Sequence, residues 1–437
     1  MAKLHGTMNI NEKGNLEIGG LDIAEFAKNN EYPVYLMDEE LIRKNMKEYK
    51  ESFEEFYPNS RVHYASKAFM SLAMCKIAEK EGLGLDVVSG GELYTAIKAN
   101  FPMEKIIMHG NNKSEQEIRM AIENGIGRIV IDNFYEIDLL DKITKELDKT
   151  IDVMLRIKPG IHADTHHYIT TGHEDSKFGF IIKEDIAKKA IKLVSEKEKM
   201  NFKGIHMHIG SQVFNTKGYE ESIKIIAKLS KELKNENITV KEFDLGGGLG
   251  VVYTEADDPM TIKEFVKLLI QSVKSEFGEL GLELPKIMVE PGRSIVGEAG
   301  TTVYKIGSIT EVPGIRKYIA INGGMGDNIR PALYQAKYDA VVANKMNEVK
   351  KEVVTVAGKC CETGDIILKD VELNNPESGD ILAVFTTGAY NYTMASNYNR
   401  LPVPGVALVK DGKIDWIIKP QNYDDILRND IVPERLK

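Results

Sequence analysis

Residues 242–248 read EFDLGGG, a short run with apolar residues that ends in three glycines. An amphipathic stretch, Thr261–Phe277, follows it, and a second apolar run, Lys286–Glu290, comes next. A strand, a helix and another strand of these lengths predict a β-α-β unit, whose two strands lie parallel in one sheet.

The same rhythm extends from this unit back toward the N-terminus. We predict eight strands, at Val62–Ser66, Leu85–Ser89, Ile106–His109, Arg128–Asp132, Val153–Ile157, Gly204–Ile209, Glu242–Leu245 and Lys286–Glu290. Helices are predicted between them, for example at Gly91–Ala99, Ser114–Asn124, Asn133–Leu147, Tyr219–Lys234 and Thr261–Phe277, and Asp38–Phe56 precedes the first strand. Eight repeats over roughly 250 residues indicate a (β/α)8 TIM barrel. An open doubly wound sheet is the alternative.

Polar residues cluster at the ends of these strands and favour the barrel. They are Lys67, Asp86, His109, Asp132, His208, Gly246–Gly248 and Glu290. Because barrel active sites are built at the C-terminal ends of the strands, we expect these residues at one mouth.

The pattern changes after Gly292. Strands are predicted without long helices between them, at Val303–Val312, Lys317–Ile321, Val353–Ala357, Ile381–Thr386, Val406–Lys410 and Lys413–Ile418. This indicates a second, mainly antiparallel β domain. We therefore predict a barrel over residues 38–297 and a β domain formed by residues 1–37 and 298–437.

Bulk composition narrows the class of protein. The 437 residues suit two or three domains, and a net charge of −9 argues against nucleic acid as a partner. Three cysteines suit a reducing compartment better than a disulfide framework. With no signal-peptide pattern and no apolar run of membrane-spanning length, we expect a soluble cytoplasmic protein without membrane contact.

Three of the strand-end features carry possible chemistry. Lys67 could form a Schiff base if desolvated, although a surface lysine is the commoner case. Gly246–Gly248 could bind an anion through backbone N–H groups, and barrels often bind phosphate after strands seven and eight; a flexible turn is the alternative. Glu290 ends an apolar strand and needs a cationic or hydrogen-bonded partner, whether a protonated pyridine nitrogen or Arg293 in an internal pair.

Two histidines, His206 and His208, lie on the same side of the sixth predicted strand. They could bind a metal, as in a barrel hydrolase, with further ligands from His109, His162, His166, His167 or His173. Alternatively, an imidazole stacks on an aromatic cofactor while Ser211 binds its phosphate. The spacing leaves both interpretations open.

The β domain contributes further candidates. Cys360-Cys361-Glu362 lies beside a glycine-containing turn, where a buried apolar role is the usual one for cysteine. Arg330 and Tyr334 share a polar loop, and Tyr390 lies in a later one. A cation with phenols suits carboxylate recognition, and a structural role is equally compatible.

Taken in order, these motifs resemble the fold-type III pyridoxal-phosphate decarboxylases, and among them the diaminopimelate branch. The resemblance runs from about Tyr32 to Asn399. It rests on the stretches at residues 84–92, 109–113, 171–172, 176–179, 206–212, 246–248, 290–293, 361–365 and 394–399.

The resemblance implies a role for each candidate. Lys67 would hold pyridoxal 5'-phosphate as a Schiff base, His208 would stack on the pyridine ring, and Glu290 would pair with the pyridine nitrogen. Phosphate would be bound by Ser211, Gly246, Gly247, Gly248, Gly292 and Arg293. Substrate contacts would come from Arg293, Arg330, Tyr334, Glu362 and Tyr390, of which Tyr390 also contacts the cofactor.

The implied reaction converts meso-2,6-diaminopimelate to L-lysine and CO2, the last step of lysine biosynthesis. Cys361 would be the proton donor, reaching the site from the other subunit of a homodimer, and no metal is implied. A decarboxylase of ornithine, arginine, D-lysine or carboxynorspermidine and a non-catalytic pyridoxal-phosphate-binding protein are the alternatives. The chain departs from the family pattern at Phe69, beside the lysine, and at Arg400–Pro404.

Overall fold

The computed structural model describes residues 3–28, 30–161 and 175–437 of the chain. The chain divides into two compact units. The barrel unit comprises Arg43–Val251 and Asp258–Ile295, and the sheet unit comprises Met1–Ile42, Val252–Asp257 and Val296–Lys437. Among the helices of the described residues, none is both long and apolar enough to cross a membrane.

Short elements begin the sheet unit. They are strands β1 (Asn9–Ile10), β2 (Leu16–Ile18) and β3 (Leu21–Asp22), helix α1 (Ile23–Lys28) and strand β4 (Val34–Asp38). Strands β1 to β3 form a small antiparallel sheet. All five residues of β4 are buried, and β4 pairs with strands that come after residue 299.

The strands of the barrel unit are all parallel. They are β5 (Ser60–Ala65), β6 (Gly84–Val87), β7 (Ile106–Met108), β8 (Arg128–Ile131), β9 (Ile151–Lys158), β10 (Phe180–Ile181), β11 (Met200–His206), β12 (Glu242–Asp244) and β13 (Lys286–Val289). All except β10 form a ring, which closes where β13 pairs with β5, while β10 pairs with β9 outside it. The predicted TIM barrel is therefore confirmed, and the open doubly wound sheet is wrong.

Helices alternate with these strands. They are α2 (Glu39–Phe56), α3 (Leu72–Glu81), α4 (Gly90–Lys98), α5 (Glu115–Glu123), α6 (Phe134–Leu147), α7 (Ile186–Ser195), α8 (Lys217–Asn235), α9 (Ile262–Glu279) and the one-turn α10 (Arg293–Val296). Polar caps fix where several of them begin. Ser114 and Thr261 each form a capping box with a glutamate three residues later, which satisfies backbone N–H groups that the first turn leaves open.

A buried apolar cluster lies inside the barrel, and polar residues follow it toward the C-terminal ends of the strands. Ile107, Val130, Met154 and Met288 pack together as one buried cluster. Since side chains two positions apart on a strand point the same way, His109, Asp132, Arg156 and Glu290 follow these four residues toward the C-terminal mouth. All four are buried.

The rest of the sheet unit is mainly antiparallel, as predicted. Its strands are β14 (Gly300–Val312), β15 (Arg316–Ile321), β16 (Ala340–Val342), β17 (Lys351–Ala357), β18 (Ile366–Asn374), β19 (Ile381–Val384), β20 (Gly405–Lys410) and β21 (Lys413–Ile418), with short helices α11 (Arg330–Tyr334) and α12 (Tyr423–Leu427). The large sheet has the order β18-β17-β15-β14-β4-β20-β21, in which only β15–β17 and β4–β20 pair in parallel.

Three local expectations need correction. Strand β18 was not predicted, because Lys369, Asp370 and Glu372 interrupt its apolar alternation. Arg330 and Tyr334 begin and end the helix α11 instead of lying in a loop, with Pro331 in its first turn. Strand β11 ends at His206, so His208 lies beyond it in an irregular segment.

Candidate active site

Lys67 lies just after the first barrel strand. It occupies a single 3-10 turn, Ser66–Ala68, and its Nζ is 3.9 Å from Asp86 Oδ2. The residue that follows this turn, Phe69, is buried, and its carbonyl accepts a 2.6 Å hydrogen bond from the Tyr64 hydroxyl. The family departure at this position therefore places an apolar side chain in the core and leaves Lys67 at the mouth.

Asp86 is the counter-charge of Lys67. Its side chain is buried at the end of β6, and neither carboxyl oxygen has a hydrogen-bond partner among the described residues. His109 Nε2 lies 3.8 Å from Asp86 Oδ1. Burial, and then the charge of Glu290, raise the pKa of Asp86. A buried carboxyl without donors is costly, so this position suits a group that approaches from the mouth.

Glu290 follows β13 and lies between two imidazoles. Its Oε1 is 2.5 Å from His109 Nε2, and its Oε2 is 3.1 Å from His206 Nε2. Although burial opposes ionisation, these two histidines hold the pKa of Glu290 well below its usual value. Burial lowers the pKa of His206 to about 3, so this imidazole is neutral at pH 7. The partner that the sequence required for Glu290 is therefore a pair of histidines.

The loop Gly246–Gly248 follows β12 and is built for close approach of backbone. Gly246 and Gly248 have φ of +68° and +129°, values that favour glycine. A Cβ on Gly247 would lie 2.2 Å from the Glu290 carbonyl oxygen. The Gly247 N–H donates to His208 Nδ1 at 3.3 Å, which places the His208 ring against this loop. The Gly247 carbonyl accepts a 2.7 Å bond from the Tyr219 hydroxyl.

A serine and an arginine meet beside the last barrel strand. Arg293 Nε and Nη2 donate to Ser211 Oγ at 3.1 and 3.0 Å. A Cβ on Gly292 would be 3.0 Å from the Cβ atoms of Ala65 and Ala68, which flank Lys67. Two of the predicted anion-binding side chains thus converge, and the chain segment that carries one of them packs against the turn of Lys67.

In the sheet unit, Arg330 lies in an aromatic cage. Its Nη1 donates to the Tyr338 hydroxyl at 2.5 Å, and its guanidinium carbon lies 4.9 Å from the ring centre of Tyr253. The two tyrosine rings meet edge to face at 5.3 Å. The tyrosines hold a buried guanidinium in one orientation, an arrangement that favours paired hydrogen bonds to a carboxylate.

The other sheet-unit candidates lie on turns or at the end of a helix. Cys361 and Glu362 are exposed between β17 and β18, and the Cys361 N–H donates to Asn399 Oδ1 at 2.7 Å. Cys360, by contrast, is buried. Tyr334 ends α11, and Tyr390 has a left-handed φ of +61°. The structure thus separates the two adjacent cysteines into one exposed thiol and one core residue.

The metal alternative receives partial geometric support. Among the described residues, His109, His206 and Glu290 offer ligand atoms within 4.8 Å of one another. His208, which the sequence paired with His206, is not in this group, because the strand ends between them. The other proposed ligands, His162, His166, His167 and His173, and the motif residues Thr171 and Gly172 lie outside the described residues.

Comparisons with known proteins point to one class of enzyme. The family model of the pyridoxal-dependent decarboxylases, pyridoxal binding domain, matches residues 39–297. The diaminopimelate decarboxylase of Bacillus subtilis is 51% identical over 98% of this chain and 98% of its own length. The crystal structure of diaminopimelate decarboxylase from M. jannaschii is 37% identical, covers 99% of both chains and superimposes with a TM-score of 0.92.

The chain belongs to the diaminopimelate decarboxylase family.

Membership in this family makes the chain a pyridoxal-phosphate-dependent decarboxylase. It excludes the alternative interpretation of the histidines as the metal site of a barrel hydrolase. A second crystal structure of the M. jannaschii enzyme is a complex with L-lysine. The lysine/ornithine decarboxylase of Vibrio vulnificus, at 20% identity and a TM-score of 0.74, shares the fold alone.

Two residues of this family member were not assigned from sequence. Arg156 is buried on β9, and its guanidinium carbon lies 4.3 Å from the ring centre of Phe178, in the stretch 176–179 that carried part of the resemblance. Tyr219 fixes the glycine loop through Gly247. Arg156 was detectable as a charged residue inside an apolar strand, whereas Tyr219 reads as an ordinary residue of an amphipathic helix.

Proposed function

We propose that this protein decarboxylates meso-2,6-diaminopimelate to L-lysine and CO2, with pyridoxal 5'-phosphate as cofactor. The proposal rests on one observation in a member of this family. Lys67, the buried Glu290 and the Ser211–Arg293 pair lie at the same end of one barrel, beside a glycine loop. An amine, a buried carboxylate and an anion site are what a phosphorylated pyridine aldehyde requires.

The residues of the barrel mouth fit this cofactor by their chemistry. Lys67 would hold it covalently, and Ser211, Arg293, Gly292 and the backbone of Gly246–Gly248 would bind its phosphate. The left-handed glycines and the close approach of Gly247 to Glu290 leave no room for a Cβ, as a backbone cradle requires. His208, beside this loop, would stack on the ring. When bound, the cofactor supplies an acceptor for the electron pair that departing CO2 leaves behind.

The chain's own groups then act at stated atoms. Glu290 would hold a proton on the ring nitrogen, because its carboxylate is kept ionised by two imidazole donors. Cys361 would donate the proton that replaces the lost carboxylate, acting as a general acid.

The substrate's second carboxylate explains the expected specificity. Arg330 is buried, caged by Tyr253 and Tyr338, and suited to a paired hydrogen bond with this group. Arg293, Tyr334, Glu362 and Tyr390 would contribute the remaining contacts. An amino acid that lacks the distal carboxylate would leave the remaining donors of Arg330 unpaired and would bind poorly.

We also propose a homodimer in which each unit has its own task. The barrel domain, residues 38–297, would bind the cofactor, and the β domain, residues 1–37 and 298–437, would supply substrate and dimer contacts. Cys361 and Glu362 are exposed, which supports the proposal that they reach the active site of the second subunit. The cytoplasmic location remains a prediction from the sequence.

A substrate panel tests the function. Purified protein with pyridoxal phosphate is given meso-diaminopimelate, L-ornithine, L-arginine or D-lysine, and CO2 and amine product are measured. We expect turnover of meso-diaminopimelate alone, abolished in Lys67→Ala and retained in Lys76→Ala, which removes an exposed lysine of α3 that pairs with Glu79. Turnover of ornithine, arginine or D-lysine instead would reassign the substrate. Cofactor binding without any turnover would favour a non-catalytic binding protein.

A further inference from the structure

Two histidines occupy both oxygens of the carboxylate that ends the last barrel strand. His109 comes from the segment after β7 and His206 from the end of β11, 181 and 84 residues away from Glu290 in sequence. Each imidazole uses its Nε2 on a different carboxylate oxygen. The two rings lie 4.5 Å apart between centres, and Asp86 Oδ1 lies 3.8 Å from His109 Nε2 beside them.

The strand order shows that this contact is made across the barrel interior. In the ring, β13 is separated from β11 by β12 and from β7 by β5 and β6. None of the three side chains is more than 6% exposed, so water does not compete for these hydrogen bonds. The carboxylate is therefore held from two sides by groups that the barrel itself keeps in place.

The hydrogen-bond pattern fixes the direction of donation. His206 Nδ1 is buried and has no hydrogen-bond partner among the residues described. A neutral ring whose single N–H lies on Nε2 satisfies Glu290 and leaves Nδ1 as the unprotonated atom. The lowered pKa of His206 agrees with this neutral form. Glu290 thus receives hydrogen bonds without a full positive charge from His206 to neutralise it.

The spacing favours hydrogen bonds over a metal ion. Zinc bonds to nitrogen and oxygen are about 2.0–2.1 Å long, so two ligand atoms of a tetrahedral site lie roughly 3.3 Å apart. The 2.5 Å between His109 Nε2 and Glu290 Oε1 is shorter than that separation, and the 3.1 Å between His206 Nε2 and Glu290 Oε2 lies in the range of an ordinary N–H···O hydrogen bond.

We propose that His109 and His206 are positioning residues that hold the Glu290 carboxylate ionised and aimed at the ring nitrogen of the cofactor. This inference rests on the proposed function. Neither histidine needs to touch the substrate. Without one donor, Glu290 loses a fixed orientation, and its buried charge becomes less favourable, so the nitrogen proton is held less well.

Matched substitutions separate this role from simple packing. His109→Leu and His206→Leu remove a donor, whereas His109→Gln keeps an amide N–H that can reach the same oxygen. His63→Leu is the control, because His63 is buried on β5 of the same barrel and makes no hydrogen bond to Glu290 within the described part of the chain. The measurements are cofactor affinity of the apoprotein by equilibrium dialysis, kcat and KM for meso-diaminopimelate, and the melting temperature of the apoprotein.

We expect the two donor-removing leucine variants to bind pyridoxal phosphate roughly tenfold more weakly and to lose roughly 100-fold in kcat, with KM within about twofold. His109→Gln should retain kcat within roughly fivefold, and His63→Leu should keep wild-type cofactor affinity. Wild-type affinity and kcat in both His109→Leu and His206→Leu would overturn the inference. So would a loss in His109→Gln equal to that in His109→Leu. If the wild-type protein itself bound no cofactor or released no CO2, the proposed function would fail instead.

Discussion

The buried ion pair between Lys113 and Glu136 yields the sharpest stability prediction. Only 1% of the Lys113 side chain and 3% of the Glu136 side chain are exposed, and Nζ lies 2.6 Å from Oε1. Lys113 Nζ also donates to the carbonyl oxygens of Gly110 and Val130 at 2.8 and 2.7 Å. All three donors of the ammonium are therefore used, and the loop after His109 is fixed to the end of β8.

The magnitude follows from what each substitution leaves behind. Glu136→Leu leaves a buried ammonium with only two neutral acceptors, and breaking such a pair costs about 3–5 kcal/mol. Lys113→Met leaves a buried carboxyl, which becomes neutral more easily because burial already raises the pKa of Glu136. We therefore expect a smaller loss for Lys113→Met, about 2–3 kcal/mol. The double variant should cost less than the sum by about 2 kcal/mol, because no charge remains buried.

Urea unfolding of the apoprotein at pH 7.5 measures these differences, with fluorescence and circular dichroism followed together. Lys142→Met, at a half-exposed lysine of α6 bound to Glu115, is the matched control and should change stability by less than about 1 kcal/mol. If Glu136→Leu were as mild as Lys142→Met, or if the two losses were additive in the double variant, the interpretation of a fully satisfied buried pair would be wrong.

Three further predictions concern the glycine loop, the substrate and pH. Gly247→Ala should destabilise the protein by about 1–3 kcal/mol and weaken cofactor binding, because the new Cβ would lie 2.2 Å from the Glu290 carbonyl oxygen. The control Gly278→Ala, where a Cβ meets nothing within 4 Å, should be neutral or stabilising. Equal melting temperatures for the two variants would contradict this prediction. Arg330→Lys should raise KM for meso-diaminopimelate roughly 10–100-fold at unchanged cofactor affinity, because a lysine cannot replace the paired donors; steady-state kinetics with unaltered KM would remove Arg330 from substrate binding. Burial lowers the pKa of His63 to about 3, below its unfolded value of 6.5, so its contribution to stability is complete above pH 6.5 and is lost as pH falls toward 3. Between pH 6.5 and 5 the loss of stability due to His63 amounts to about 2 kcal/mol. The unfolding free energy of His63→Leu should therefore decline less steeply than that of the wild type over that range. Identical slopes would refute the lowered pKa of His63.

The barrel was predictable because its strands are short apolar runs separated by long amphipathic helices. The strand ends differ from expectation by a residue or more, since backbone pairing stops before the polar residues. Glu290, for example, follows β13 instead of ending it, and its N–H donates to the carbonyl of Gly246. The same polar residues that shorten the strands mark the functional mouth, so the error in their boundaries leaves the position of the site unchanged.

Contacts between distant strands were not predictable from one sequence. The sequence required a partner for Glu290 but offered Arg293 or a pyridine nitrogen. The structure adds His206, at the end of β11, and His109, just after β7, and neither of these strands is a neighbour of β13 in the ring. Arg293 instead donates to Ser211. Likewise, strand β18 was not predicted because its charged residues interrupt the apolar alternation. One of them, Asp370, forms an ion pair with Arg316 of β15, a contact that the sequence does not reveal.

The most direct test of the proposed function is decarboxylation of meso-2,6-diaminopimelate in D2O, with CO2 quantified and the amine product analysed by chiral chromatography and NMR. We predict equal amounts of CO2 and L-lysine, with one deuteron on the carbon that carries the ε-amine, because a solvent-derived proton replaces the lost carboxylate. The absence of lysine, or a product of the opposite hand, would contradict the assignment of this protein as a diaminopimelate decarboxylase.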